Sequence, residues 1–191
     1  MAGAQPTRLG GRTVLPSGDV VVWSVADGRR GRRWRESTAR DGVGVRTVLV
    51  ESAPDGRLQR LEMSTAAGLL TVHPDDSGTT LHGNVVTPDG IRHLTFAWGS
   101  DQAVLVEGSP AVTAIAVRWL GRGSEPGRSA EVTALRIDDR LVPEAGSIGI
   151  ERLGPHTWRL SHGAGPDGEL VVTLDADGLL LTARTVWPLE R

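Results

Sequence analysis

Three histidines, His73, His82 and His93, fall at similar intervals in one stretch of the chain. Imidazoles on neighbouring strands can ligate a metal or pass a proton, and this trio is the best sequence support for an enzyme or a metal site. Pairing Pro74 with Thr79 and Val86 with Ile91 puts Val72, Leu81, Val85, Leu94 and Phe96 on one apolar face. The other face then carries the three histidines with Thr71, Thr80, Asn84 and Thr95, and a one-residue slip would bury this polar set. In that register His73 lies diagonal to His82 and His82 to His93, about 7 Å apart at Cα. No carboxylate stands beside them on these strands, and a half-buried antiparallel sheet presents such an outer face by default. No metal ligand set is assigned.

Other catalytic patterns are absent. Ala145-Gly146-Ser147-Ile148-Gly149 lacks the first glycine of a nucleophile elbow, and there is no zinc-protease, phosphate-loop or dinucleotide-binding pattern. The chain has no Cys, so thiolate nucleophiles, thiolate zinc sites and disulfides are excluded. Asp55, Asp75, Asp76, Asp89, Asp167, Asp175 and Asp177 fall in turns, where Asp is favoured for turn chemistry. Of the strand carboxylates, Glu107 stands out because it sits among apolar residues beside Gly108-Ser109-Pro110. It is either a ligand-binding group or a carboxylate at an exposed strand end. No catalytic residue, metal or cofactor is expected, and a non-enzyme is favoured.

Net charge is −2 at pH 7, which argues against a nucleic-acid partner, since phosphate contacts demand a basic face. All basic side chains besides five His are Arg, and six of these, Arg29, Arg30, Arg32, Arg33, Arg35 and Arg40, crowd around Trp34. They make either a polyanion contact or a solvated turn, and this is the one place where a short helix is expected. The N-terminus lacks the apolar core of a secretory signal, and no run of roughly 18 apolar residues occurs. The expectation is a cytoplasmic protein with no integral membrane segment, a mobile arm over residues 1–18 and one domain over 19–191.

The elements that would position these groups read as strand after strand. Asp19 to Val25 ends at Asp27-Gly28, Val43 to Val50 and Arg57 to Met63 flank Ala53-Pro54-Asp55-Gly56, and Leu69 to His73 and Thr79 to Val86 flank Asp75-Asp76-Ser77-Gly78. Ile91 to Trp98, Glu131 to Asp138, Ser147 to Arg152, His156 to Ser161, Glu169 to Leu174 and Leu179 to Val186 continue the series. No segment sustains a helical apolar period, so the chain is expected to be all-β, a single antiparallel meander. About thirteen strands are more than a flat sheet holds, which predicts a barrel, roll or sandwich.

Ala103 to Leu120, AVLVEGSPAVTAIAVRWL, is the longest nearly continuous apolar run and reads as two strands in tandem bent at Gly108-Ser109-Pro110. It resembles a segment of the bacterial proteins labelled glycolipid-binding, formerly a domain of unknown function. There the pattern runs Asp-Val-Asp-Leu, Thr-Pro-x-Thr-Asn, Leu-Pro-Ile-Arg-Arg-Leu, and Pro110, Arg118, Leu120 and the apolar rhythm match it. Ala103, Leu105, Thr113 and Trp119 stand where the family has Asp, Asp, Asn and a second Arg. Val172 to Leu180 and Val186-Trp187-Pro188-Leu189 are similar to the family's terminal turn, strand and tail. The resemblance covers residues 43–191 and implies a divergent member with a spiral β-roll, a long sheet curled around an apolar interior.

Two functional readings stay open. In one, the roll holds a lipid or glycolipid-like amphiphile, with Trp98, Trp119 and Trp187 as apolar walls and Arg118 or His93 at the polar headgroup. In the other, the interior is filled, the six Trp are core, Arg118 caps a strand or pairs with Glu107, and the protein works as a homo-oligomer or interaction module.

Overall fold

The computed structural model describes residues 8–15, 17–121, 125–161, 169–175, 178, 180–183 and 187–190, with backbone alone for Arg8 and the last two strands. A meander runs β1 (Arg8–Val14), β2 (Val20–Gly28), β3 (Gly31–Arg40), β4 (Val43–Ser52), β5 (Leu58–Thr65), β6 (Gly68–Pro74), β7 (Thr80–Thr87) and β8 (Gly90–Ala97). Strand β9 (Gln102–Val106) and helix α1 (Pro110–Leu120) follow. A second meander then runs β10 (Ser129–Ile137), β11 (Pro143–Arg152), β12 (Thr157–Ser161), β13 (Glu169–Leu174), β14 (Leu180–Ala183) and β15 (Trp187–Glu190). The fifteen strands among the described residues form one sheet, joined at its middle by β1 pairing with β15 and ending in β8 and β9. The fold is all-β and antiparallel, apart from the parallel pair β9 and β10. Parallel neighbours need a crossover, and α1 supplies it.

The run Ala103 to Leu120 is therefore one strand and one helix, not two strands. Ser109 is the N-cap, its side chain accepting from the Val112 amide, and Pro110 opens the first turn. A side-chain acceptor there satisfies an otherwise unpaired amide, and Pro brings a preset φ and no N–H to waste. Gly108 makes the bend into the cap at φ +66, a left-handed conformation that glycine adopts without a Cβ penalty. The expected helical period is missing because Pro110 through Val117 are all buried, so the helix is apolar on every side. It lies inside the curled sheet, touching β3, β4, β9, β13 and β14.

Two further expectations change. The Arg-rich segment is strand β3, with Trp34, Glu36 and Thr38 facing inward and Arg33 and Arg35 outward. Alternation lets a strand carry that many arginines: Arg33 pairs with Glu51 across the β3–β4 ladder, and Arg32 donates to Asp27 at 2.6 Å while stacking over Trp34. Arg8–Val14, inside the stretch expected as a mobile arm, forms β1, paired along its length with β2. Residues 1–7 and parts of the expected strand Leu179 to Val186 lie outside the described residues.

The helix divides the interior. Val112 and Ile115 pack with Trp23, Trp34, Leu61, Met63, Leu70 and Leu81 of the first meander, and with Val104 and Val106. Ala114, Ala116 and Val117 pack with Ile148, Trp158, Leu160 and Val172 of the second, and with Ala103 and Leu105. Strand β9 is thus covered on both faces, as parallel strands usually are.

Candidate functional site

The turn between β4 and β5, the turn between β6 and β7 and the link from β8 to β9 meet over one side of α1 and leave a cleft of about 550 Å³. Its floor is Val104 with Val112, Ile115, Ala116 and Trp119 of the helix, spaced so that one helical face is presented. Trp98 lines it too, and Arg57, Gln59, Asp75, Asp76 and Gln102 supply the polar wall. Asp75 is shaped for its turn: its carboxylate accepts from Ser77 Oγ at 2.7 Å and from the amides of Thr79 and Thr80. The Ser77 hydrogen bond, helped by those amides, holds its pKa below the usual carboxylate range. Arg57 is tied to Asp55 at 2.8 Å. An apolar floor with a few placed polar groups is the usual make-up of a small-molecule site.

Of the residues singled out in the sequence, Trp98 and Trp119 come together at this cleft, both half-buried. Arg118 is exposed at the last turn of α1 and lines a separate recess of about 10 Å³ with Arg32 and Gly178, which shares Gly56 and Ile115 with the cleft. Glu107 precedes the helix and Arg118 lies in its last turn, so about 12 Å of helix lies between them. The Glu107 side chain is exposed, while its amide donates to the Ile137 carbonyl at 3.1 Å. His93 lies on the outer face of β8, its Nδ1 2.6 Å from Asn84 Oδ1. Trp187 is placed opposite Ala183 in β15, but its side chain lies outside the described residues.

The histidine face is outward. His73 sits directly across from His82, with ring centroids 6.4 Å apart, and His93 is across from Asn84. The β6–β7 pairing is thus shifted two residues from the expected one, which keeps every face assignment because side chains alternate with period two. No group of three His, Cys, Asp or Glu among the described residues is arranged to hold a metal.

A buried polar cluster sits at the N-terminal end of α1. Glu36 is enclosed between Trp23 and Val48 on the neighbouring strands. Its Oε2 accepts from Ser109 Oγ and from the Ala111 amide, each at 3.1 Å, while Oε1 has no hydrogen-bond partner. Arg46, also buried, donates to the carbonyls of Glu107 and Gly108 at 2.6 Å each and to Asp139 at 2.9 Å. Burial pushes the Glu36 carboxyl up to about 7, against the opposing pull of the Ala111 amide, the Arg46 charge and the Ser109 hydroxyl. One signal was available: in a strand Glu36 shares the parity of Trp34, which puts it inside.

No family model matches the chain and no curated protein matches it. Among solved structures, it is similar to a DUF1089 family protein from Pseudomonas aeruginosa, with 18% sequence identity and a TM-score of 0.57. The match covers 98% of this chain and 93% of that one, so the fold is shared over essentially the whole length. No helix among the described residues is long and apolar enough to cross a membrane.

Proposed function

We propose that this β-roll is a non-catalytic binding protein that takes a lipid or glycolipid-like amphiphile in the cleft over α1. The observation that carries the reading is the cleft itself, about 550 Å³ with Trp98 and Trp119 beside the apolar face of the helix and a polar wall opposite. Such a site matches an acyl chain laid along Val112, Ile115 and Ala116 with its polar head toward Gln59, Asp76 and Gln102. The fold shared with a protein of a domain-of-unknown-function family agrees with the resemblance that Ala103 to Leu120 carries. Titration with octyl glucoside and with lauric acid, followed by tryptophan fluorescence and native mass spectrometry, tests it. Saturable one-to-one binding is expected, weakened about tenfold in Trp98→Ala by the loss of roughly 1.4 kcal/mol of aromatic contact. A protein that binds neither amphiphile and carries no lipid when purified would sink the reading.

A second reading, a homo-oligomer or interaction module, draws on one observation. Leu69, Val86 and Ile91 lie side by side across the outer face of β6, β7 and β8, each more than two-fifths exposed, next to the end of the sheet. Light scattering on the purified protein separates a monomer from a dimer.

A further inference from the structure

The inner wall of the cleft is one face of α1, and the N-terminal end of that helix rests on a buried carboxyl 73 residues away from its cap in sequence. We propose that Glu36 is a positioning residue for the cleft: its protonated carboxyl seats α1 in the roll, and loss of that proton loosens the seat. This rests on the amphiphile reading for its ligand arm alone.

The geometry makes the charged form costly. Both carboxyl oxygens are enclosed, and Oε1 meets no donor, so an anion there loses its water without full replacement. The donors it does have, Ser109 Oγ and the Ala111 amide, belong to the helix cap and first turn, and the helix dipole adds a modest favourable field. The charged group facing it from β4 is Arg46, whose guanidinium is already engaged with the Glu107 and Gly108 carbonyls and with Asp139 of the β10–β11 loop. Asp19 and Arg40 pair with each other at 2.8 Å farther along the strands, the Glu107 side chain is exposed, and the first turn of α1 carries no acid. Proton loss therefore favours any opening that wets Glu36, and the way to wet it is to lift the N-terminal turn. Val112, Ile115, Ala116 and Trp119 ride on the same eleven-residue helix, so the cleft wall moves with it.

Hydrogen exchange of the α1 amides between pH 5.5 and 8.5, corrected for intrinsic rates, is the direct test. Wild-type protection is expected to fall about thirtyfold over that range, from the difference between the wetted and the buried carboxyl, whereas Glu36→Gln stays flat. A flat wild-type profile, or the same fall in Glu36→Gln, overturns the proposal. If Glu36→Gln does not fold, Ser109→Ala decides instead: it removes a donor to the anion and moves the midpoint to higher pH, and an unmoved midpoint overturns the proposal. The ligand arm uses octyl glucoside, which does not titrate. Its affinity is expected to weaken over the same range in wild type alone. A constant affinity beside a pH-dependent exchange profile removes the link to the cleft. No binding at any pH defeats the amphiphile reading, while the exchange profile still decides the role of Glu36.

Discussion

Arg46 on β4 donates from Nη2 to the carbonyl of Gly108, 2.6 Å away, and its Nη1 reaches the preceding carbonyl of Glu107 at the same distance. One guanidinium thus closes the turn between β9 and α1 and, through Asp139, ties in the β10–β11 loop. Its planar fork suits two adjacent carbonyls in a way a lysine ammonium does not. Arg46→Met keeps much of the apolar volume but strips both carbonyls and Asp139 of their donor. Asp139 is half exposed and water can reach it, so the loss comes mainly from the two carbonyls left without a donor, and about 2 to 4 kcal/mol is expected by urea denaturation. Arg46→Lys should recover part of it, and a loss under about 1 kcal/mol would show that water replaces the guanidinium.

Stability should vary with pH in two separate windows. The folded Glu36 carboxyl, raised to about 7 from 4.5, binds a proton more tightly than the unfolded chain does. Stability is therefore fullest at the acid end of that window and declines as pH rises from 4.5 to 7, by an amount of about 3 kcal/mol if no other group compensates. Asp19 and Asp75 act in the opposite sense: the Arg40 hydrogen bond on one and the Ser77 hydrogen bond on the other lower their pKa from 3.8. What they contribute is present above that value and lost on further acidification. Urea midpoints measured at pH 5 and pH 8 should fall toward pH 8 in wild type and stay level in Glu36→Gln.

The all-β fold was legible because most strands announce themselves by β-branched alternation between Asp-Gly and Pro-Asp-Gly turns, and Val72, Leu81, Val85 and Leu94 are indeed inward. The helix was not, although Ser109 and Pro110 form a cap and first-turn pair that reads equally as a strand break. Periodicity detects a helix by its polar face, and Pro110 through Val117 have none. The Arg-rich β3 failed for the converse reason: charge density masked the alternation of Trp34, Glu36 and Thr38. Trp98 and Trp119 could be suspected from type alone, but their meeting across a β-link and a helix depends on how the sheet curls, which no local pattern encodes.

Gly121 follows α1 where no side chain fits. A Cβ built there would lie 2.5 Å from the Trp158 indole nitrogen and 2.6 Å from the Val117 carbonyl oxygen. Its φ is an ordinary −74, so the cost of a larger residue is steric. Gly121→Val should destabilise by about 1 to 3 kcal/mol through displacement of Trp158, read from the thermal midpoint and from a change in near-ultraviolet circular dichroism.

His73 and His82 face each other on the outside of β6 and β7, in contact with solvent. His73 Nδ1 lies 3.2 Å from the Pro74 carbonyl, and the side chain is exposed. His73→Ala and His82→Ala should each leave stability within about 0.5 kcal/mol and leave amphiphile binding unchanged. A larger change in either measurement would give this face a role that its exposure does not suggest.

Ile115 and Ile148 offer a matched pair for asking whether the cleft is wet. Both are buried isoleucines, at 7% and 1% exposure, but Ile115 forms part of the cleft floor whereas Ile148 lies in the closed cluster behind the helix. Truncation costs the transfer of the lost methyls plus a cavity term that depends on whether the space stays empty. At position 148 the lost methyls leave a void among buried apolar neighbours, so Ile148→Ala should cost about 3 to 5 kcal/mol. At 115 the new space opens into the cleft, where water or an acyl chain can enter, so Ile115→Ala should cost nearer 2 kcal/mol. The same Ile115→Ala protein should retain octyl glucoside binding, since the floor is deepened and not removed. Equal costs at the two positions, measured by urea denaturation, would mean that the cleft floor is sealed from solvent.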